Sequence, residues 1–470
     1  MTSCNPQPGA QNTCPAGYHC TPDGTCDALC TPNGGQCGDG YVCTTDGQCQ
    51  GGSACTGLQC NVVQCESMGM PATTVSGTVY APNGTLPLYG VTVYVPNADP
   101  GPLPDGAQCS KCADDLPGSP VVRATTDEAG KFTLTDVPSG AMIPLVIVSG
   151  KWRRQIMIPN VAQCTDNALA ATDTRLPKNR SEGDIPKIAI STGAADSLEC
   201  LIRKLGIDDA EIGKQGDPQR IHLYADVNSQ GEGVSAFKSG FPGGNGNFTD
   251  SASTLWNNVS SLMPYDIVIL SCEGSQYPNT KPQSALDALK MYADLGGRVF
   301  MSHWHNIWIG GAFQSGGNPA PAVWTSVAQW QNQNDPGNGA IDIIDETSNP
   351  KGSSFATWML NVMGSTTRDQ IPIQDGTAKT TAQSVDTTKA ERWTYLNGTQ
   401  RPQNFQFTTP NEVAADQRCG KVAFSDMHVS GGPGNGDYPD SCGGSTTLTP
   451  QEKALAFMIF DLSSCVGSIF

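Results

Sequence analysis

No stretch of this 470-residue sequence approaches the roughly 18–20 consecutive apolar residues that a membrane-spanning helix needs. Positive charge is also scarce: 27 Lys and Arg stand against 44 Asp and Glu, a formal net charge of −17. Nucleic acid and anionic lipid surfaces repel such a chain, which excludes both as expected partners. Charge of either sign makes up only 15% of residues, while 53 glycines and 34 prolines place much of the chain in turns. Histidine is rarest, five in all, so the position of each one is informative. The opening Met1-Thr2-Ser3-Cys4 carries no apolar leader. The expectation is a mature chain whose leader, with any lipid anchor it bore, lies upstream.

Cysteine breaks this pattern of scarcity. There are 19, eleven of them between Cys4 and Cys65. Zinc modules use short CxxC pairs matched with further CxxC or HxxxH pairs. Here the gaps are six, six, four, seven, six and six, from Cys14 through Cys20, Cys26, Cys30, Cys37 and Cys43 to Cys49. Such spacing reads as disulfides, and so as a secreted or outer-surface protein of bacterial type. The total is odd, so at least one thiol is free or paired outside the chain.

Residues 1–66 form a cysteine-rich module with a repeat, C-x-x-G-Y-x-C-x-x-D-G-x-C, at Cys14–Cys26 and again at Cys37–Cys49. Asp-Gly between short strands predicts hairpins, and so short a unit needs disulfides because it cannot bury a core. Such a module reads as a stalk or spacer, with protein contact as the other reading. Residues 72–160 alternate like strands: Val75-Ser-Gly-Thr-Val-Tyr80, Gly90-Val-Thr-Val-Tyr-Val95, and Thr125 through Gly140 with its Asp-Glu-Ala-Gly turn. "SGTV…GVTVYV…TTDEAGKFTLTDVPSG" resembles the carboxypeptidase regulatory-like, collagen-binding B-type family. That resemblance implies a transthyretin-like all-β sandwich acting as a spacer or adhesion unit. A long loop, 96–120, carries Cys109-Ser-Lys-Cys112. With no thioredoxin-like βαβ pattern around it, this CxxC reads as a structural cross-link rather than a redox pair. Residues 161–184 are polar and aperiodic, and read as a linker.

From 185 to 470 strands alternate with helices. Lys187–Ser191, Arg220–Ala225, Tyr265–Ser271, Gly297–Ser302 and Gly420–Ser425 read as strands. Amphipathic stretches at Ala195–Leu205, Pro282–Asp294 and from Thr449 to about Ser463 read as helices, the last opened by a Thr449/Glu452 capping box. The pattern predicts an α/β domain of flavodoxin-like type. The whole chain is thus expected to be multidomain: disulfide-rich module, β-sandwich, α/β domain.

The chemistry lies at strand ends. His303 and His305 follow one strand, His428 another, and Glu273 a third. In an open parallel sheet all four emerge at the carboxyl edge, where ligands bind. "YDIVILSCEG", "LGGRVFMSHWH", "CGKVAFSDMHVS" and "TPQEKALAFMIFDL" resemble the class I glutamine amidotransferase-like superfamily, and more closely its ThuA-like branch. The three segments in this order are also similar to uncharacterised cysteine-rich secreted lipoproteins of myxobacterial type. The superfamily places a cysteine nucleophile at the strand-to-helix elbow, where this chain has His303. Its catalytic histidine matches His428, but the glutamate two residues on is Ser430. A Cys-His-Glu relay is therefore not expected.

Three readings of the histidines stay open. His303, His305 and His428 are candidate metal ligands for Zn or Cu, with Glu273 or Asp426 as a further ligand or base. A metal-bound hydroxide would then make an extracellular hydrolase of carbohydrate or a related polymer. Without a metal, Trp304, Trp308, Tyr277 and His222 would line a cleft for a glycan or surface polymer. In the third reading the imidazoles simply satisfy core carbonyls. Ser302 is a further candidate nucleophile with His428 as base, although no G-x-S-x-G surrounds it. Cys272 reads as buried or disulfide-bonded, and Cys419 and Cys442 as a pair pinning the loop between them. The expected function is a binding or adhesion-type surface protein, with the metal-dependent hydrolase as the alternative. The sequence sets no oligomeric state.

Overall fold

The structure is a computed structural model that describes residues 18–20, 23–28, 41–43, 49–51, 55–226, 233–313, 322–331, 334–430 and 432–467. The chain divides into two compact units, Met1–Val62 and Val63–Phe470. In the first, strand β1 (Tyr18–Cys20) pairs antiparallel with β2 (Cys26–Ala28), and β3 (Tyr41–Cys43) with β4 (Cys49–Gly51). Each repeat thus makes one hairpin, with Cys20 opposite Cys26 and Cys43 opposite Cys49. Gly24, at φ 78°, makes the first turn. Cys55–Cys60 closes a further short turn. Other parts of the repeat, including Cys14, Cys30 and Cys37, lie outside the described residues.

The second unit opens with two sheets. These comprise β5 (Thr74–Thr78), β6 (Thr92–Pro96), β7 (Pro120–Thr125), β8 (Lys131–Thr135), β9 (Gly140–Ser149), β10 (Trp152–Val161) and β11 (Asp166–Ala168). One sheet runs β10-β9-β6-β7 and the other β11-β5-β8. Alternation decides which side chains face in: in β8, Phe132 and Leu134 are buried while their neighbours are exposed. The stretch 161–184, expected as linker, contributes β11 beside β5. There the Asp166 carboxylate accepts hydrogen bonds from the Thr74 and Ser76 hydroxyls, both at 2.7 Å.

The remaining residues build an 11-stranded sheet. Its main strands in chain order are β12 (Ile188–Ser191), β13 (Ile212–Lys214), β14 (Ile221–Ala225), β15 (Ile267–Leu270), β16 (Arg298–Ser302), β17 (Ile341–Ile344), β18 (Gln370–Pro372), β19 (Glu391–Leu396), β20 (Pro402–Thr409) and β21 (Gly420–Ser425). They lie in the order β13-β14-β12-β15-β16-β21-β20-β19-β17-β18. The strands from β13 to β21 run parallel; those from β21 to β18 pair antiparallel. The sheet is therefore mixed. Short connections such as that from Leu396 to Pro402 permit only antiparallel neighbours, because a parallel return needs a crossover.

Helix α1 (Gln283–Asp294) buries Leu286, Leu289 and Ala293 against Val268, Leu270, Val299 and Met301 of the sheet. Helix α2 (Pro450–Ser463) starts on the Thr449/Glu452 capping box and buries Leu455, Met458, Ile459 and Leu462. Its Phe457 and Phe460 meet Tyr89, just before β6, and Trp152 of β10, with both ring pairs 5.9 Å apart. No described helix is long and apolar enough to cross a membrane.

Long-range disulfides tie this unit together. The CxxC cysteines do not bond to each other: Cys109 joins Cys419 and Cys112 joins Cys465. Cys200 joins Cys442, and Cys65 joins Cys164. The Cys419–Cys442 pair expected from sequence does not form. Cys419 precedes β21 and Cys442 lies beyond its other end. Each is bonded to a different segment instead, Cys419 to Cys109 and Cys442 to Cys200.

Candidate functional site

Strands β12, β15, β16 and β21 lie side by side and parallel, so the segments leaving their carboxyl ends crowd together. Those segments carry Asp196, Cys272, His303 and His428. The chain changes direction abruptly after β16. Ser302 is extended at φ −102°, and His303 follows at φ 44°, in the left-handed region that favours glycine. This one-residue elbow stands the imidazole up at the sheet edge before a single 3-10 turn, His303–Asn306.

His303 Nδ1 lies 3.4 Å from Cys272 Sγ, and the rings of His303 and His428 are 5.0 Å apart. One donor atom from each of Cys272, His303 and His428 lies within 4.8 Å of the other two. The cluster is nearly dry: His303 is 6% exposed, His428 2% and Cys272 0%. Burial pushes His428 down to about 3 and His303 well below its ordinary value, so both rings are neutral with lone pairs to offer. Burial pushes the Cys272 thiol up to about 12, against the pull of backbone N–H groups of Trp304 and Gly274. His428 Nε2 is buried without a hydrogen-bond partner among the described residues. Cys272 is the free cysteine among the described residues.

Asp196 organises this group. Its carboxylate accepts hydrogen bonds from Ser302 Oγ at 2.7 Å, Val429 N at 2.9 Å and Ser197 N at 3.0 Å. It therefore ties the ends of β12, β16 and β21 together. Burial pushes it up to about 7, with those hydrogen bonds opposing the rise.

The other expected residues lie elsewhere. His305 is not a third ligand: Nε2 bonds the Ser271 carbonyl at 2.9 Å and Nδ1 accepts from Trp308 Nε1 at 2.9 Å. A 3-10 turn advances about 120° per residue, so residues two apart point in different directions. Trp308 is fully buried against Trp256, 5.4 Å away, and presents no face to a glycan. His222 lies near the amino end of β14, away from the carboxyl edge. It bonds Tyr265 Oη at 2.8 Å and the Asp217 carbonyl at 3.1 Å. Asp426 accepts from Thr381 N and Ala382 N at 2.8 Å and from Thr381 Oγ1 at 2.6 Å, which fixes it in a structural role. Glu273 pairs with Lys281 at 2.5 Å in the interior. Half-buried Tyr277 sits with its ring 6.0 Å from the Lys281 ammonium. The Ser302 hydroxyl serves Asp196 rather than His428. Trp304 does adjoin the cluster, its ring 4.6 Å from that of His303.

Sequence reasoning missed two members. The odd cysteine count signalled a free thiol, and Cys272, expected to be buried or disulfide-bonded, is buried and free, but it was not expected as a ligand. Asp196 follows Thr-Gly-Ala-Ala at a strand end, and no motif marks it.

The elbow separates the two adjacent histidines experimentally. A left-handed backbone costs a non-glycine residue about 1–2 kcal/mol. His303→Gly is therefore expected to unfold in urea within about 1 kcal/mol of the parent. His305→Ala, which strands a buried carbonyl and an indole N–H, is expected to lose about 2–4 kcal/mol. Equal losses would remove the distinction between a strained site histidine and a structural one.

No family model matches the chain, and no curated protein matches it. Several solved structures align with part of it, three of which follow. Cytoplasmic protein STM1381 of Salmonella typhimurium LT2 is 11% identical at TM-score 0.31, covering 59% of this chain and 98% of its own. Cytoplasmic protein STM3548 of Salmonella typhimurium is 12% identical at 0.30, covering 60% and 100%. A ThuA-like protein of Bacteroides uniformis is 11% identical at 0.29, covering 58% and 88%. Likenesses this weak carry no argument about fold or activity.

Proposed function

We propose that this is a secreted, disulfide-braced binding protein whose flavodoxin-like α/β domain holds one metal ion, Zn²⁺ or Cu²⁺, between Cys272, His303 and His428. The observation that carries the proposal is the convergence of three buried donors, with His428 Nε2 lacking a hydrogen-bond partner among the described residues. Metal–sulfur and metal–nitrogen bonds of about 2.3 and 2.0 Å set sulfur and nitrogen about 3.5 Å apart at a tetrahedral angle and about 3.7 Å apart at a trigonal one. Cys272 Sγ and His303 Nδ1 are 3.4 Å apart. The strand order β14-β12-β15-β16-β21 is 2-1-3-4-5 in chain order, the flavodoxin-like arrangement. The disulfides fit an oxidising compartment.

Burial favours holding over turnover. Hydrolysis needs an open coordination position that both water and substrate can reach, and His303 is only 6% exposed. Elemental analysis of the purified full chain tests the proposal. It should show one metal per chain, lowered at least about tenfold in folded Cys272→Ser and His428→Ala variants. Undiminished loading in both variants would sink the assignment.

A further inference from the structure

We infer that the ion preferred by this centre is copper, held by two imidazoles and one thiolate in a trigonal, water-poor site. The inference rests on the metal-site reading above and narrows it. Three observations support the choice.

First, the donor set is N, N and S, from His303, His428 and Cys272. A trigonal His₂Cys set is the signature of copper–thiolate sites, and copper outranks zinc at any given N/S site. Second, the described surroundings withhold a fourth ligand. Structural zinc takes four protein ligands, and catalytic zinc three plus a water. Here His305 has both nitrogens engaged, Glu273 is tied to Lys281, and the Ser302 hydroxyl is given to Asp196. Asp196 itself accepts hydrogen bonds from three sides. Exposure of 2% at His428 and 0% at Cys272 keeps bulk water from two of the three donors.

Third, the sulfur is prepared. Gly274 N approaches Cys272 Sγ at 3.4 Å. Hydrogen bonds and apolar packing around the cysteine sulfur are what tune copper–thiolate centres. The three donors leave separate loops after β15, β16 and β21, and Asp196 braces two of those loops. The sheet edge thus brings the three donors to within 4.8 Å of one another, and a bound ion would draw them the rest of the way in.

The experiment uses the full chain, stripped of metal and titrated anaerobically with Cu(II) and, separately, with Zn(II). Copper should bind at one per chain and raise an intense visible thiolate-to-copper charge-transfer band. Folded Cys272→Ser should lose the band entirely. His303→Gly, which relaxes the backbone, should lose or strongly weaken it. Because Cu(II) can oxidise a thiol, Cu(I) is also presented from a chromogenic chelator, which the parent chain should strip of one equivalent. A chain that takes up zinc but shows neither the band nor Cu(I) capture overturns the copper assignment and leaves the metal centre standing. A chain that binds neither metal overturns both. A band that survives in Cys272→Ser also overturns the inference.

Discussion

Serine at both Cys109 and Cys112 is expected to destabilise the chain by more than the two single substitutions together. The bridges Cys109–Cys419 and Cys112–Cys465 span 310 and 353 residues. Either one alone still closes a long circuit, shortened by the Cys200–Cys442 bridge, and so restricts the unfolded chain strongly. With one bridge present, the other closes only the short path through 109–112 and 419–465. Each single loss should therefore cost about 2–3 kcal/mol. The double loss also releases the long circuit, and should exceed the sum of the singles by about 1–2 kcal/mol. Urea unfolding of the three variants and the parent measures this. Strict additivity would show that the denatured chain is not restrained in the way supposed.

Asp196→Ala is the second large effect. It strands the Ser302 hydroxyl and the N–H groups of Val429 and Ser197, all inside the protein. Each buried donor left unpaired costs about 1–3 kcal/mol. A total loss of about 3–5 kcal/mol is expected, because some donors will recruit water. Asp196→Asn keeps one acceptor oxygen and should lose about half as much. Because the same carboxylate holds the residue after His428 and the residue before His303, metal affinity should fall even in the milder variant. A change below about 1 kcal/mol for Asp196→Ala would mean that the three strand ends do not depend on it.

Much of the architecture was legible because it follows local rules. The burial of Leu286, Leu289 and Ala293, and of Leu455, Met458, Ile459 and Leu462, is what helical spacing demanded. His303 and His428 were found because residues just after buried parallel strands reach the sheet edge. The failures share a cause too. His305 was assigned by proximity in sequence, but the tight turn after His303 rotates it into the core. His222 sits at the wrong end of its strand, and periodicity carries no information about which end binds. Disulfide partners such as Cys109 and Cys419 meet only after sheets far apart in sequence have docked, and spacing cannot encode that. Asp196 is identified by what it accepts, and all but one of those donors belong to distant segments.

The cross-links from 109 and 112 to 419 and 465 have a consequence for a nicked chain. A single peptide cleavage anywhere between residues 113 and 418 yields two fragments that stay joined through sulfur. Such a molecule migrates as one species until a reductant is added, and keeps its interior packing meanwhile. The backbone over that span is thus not what holds the α/β domain to the sheets that precede it.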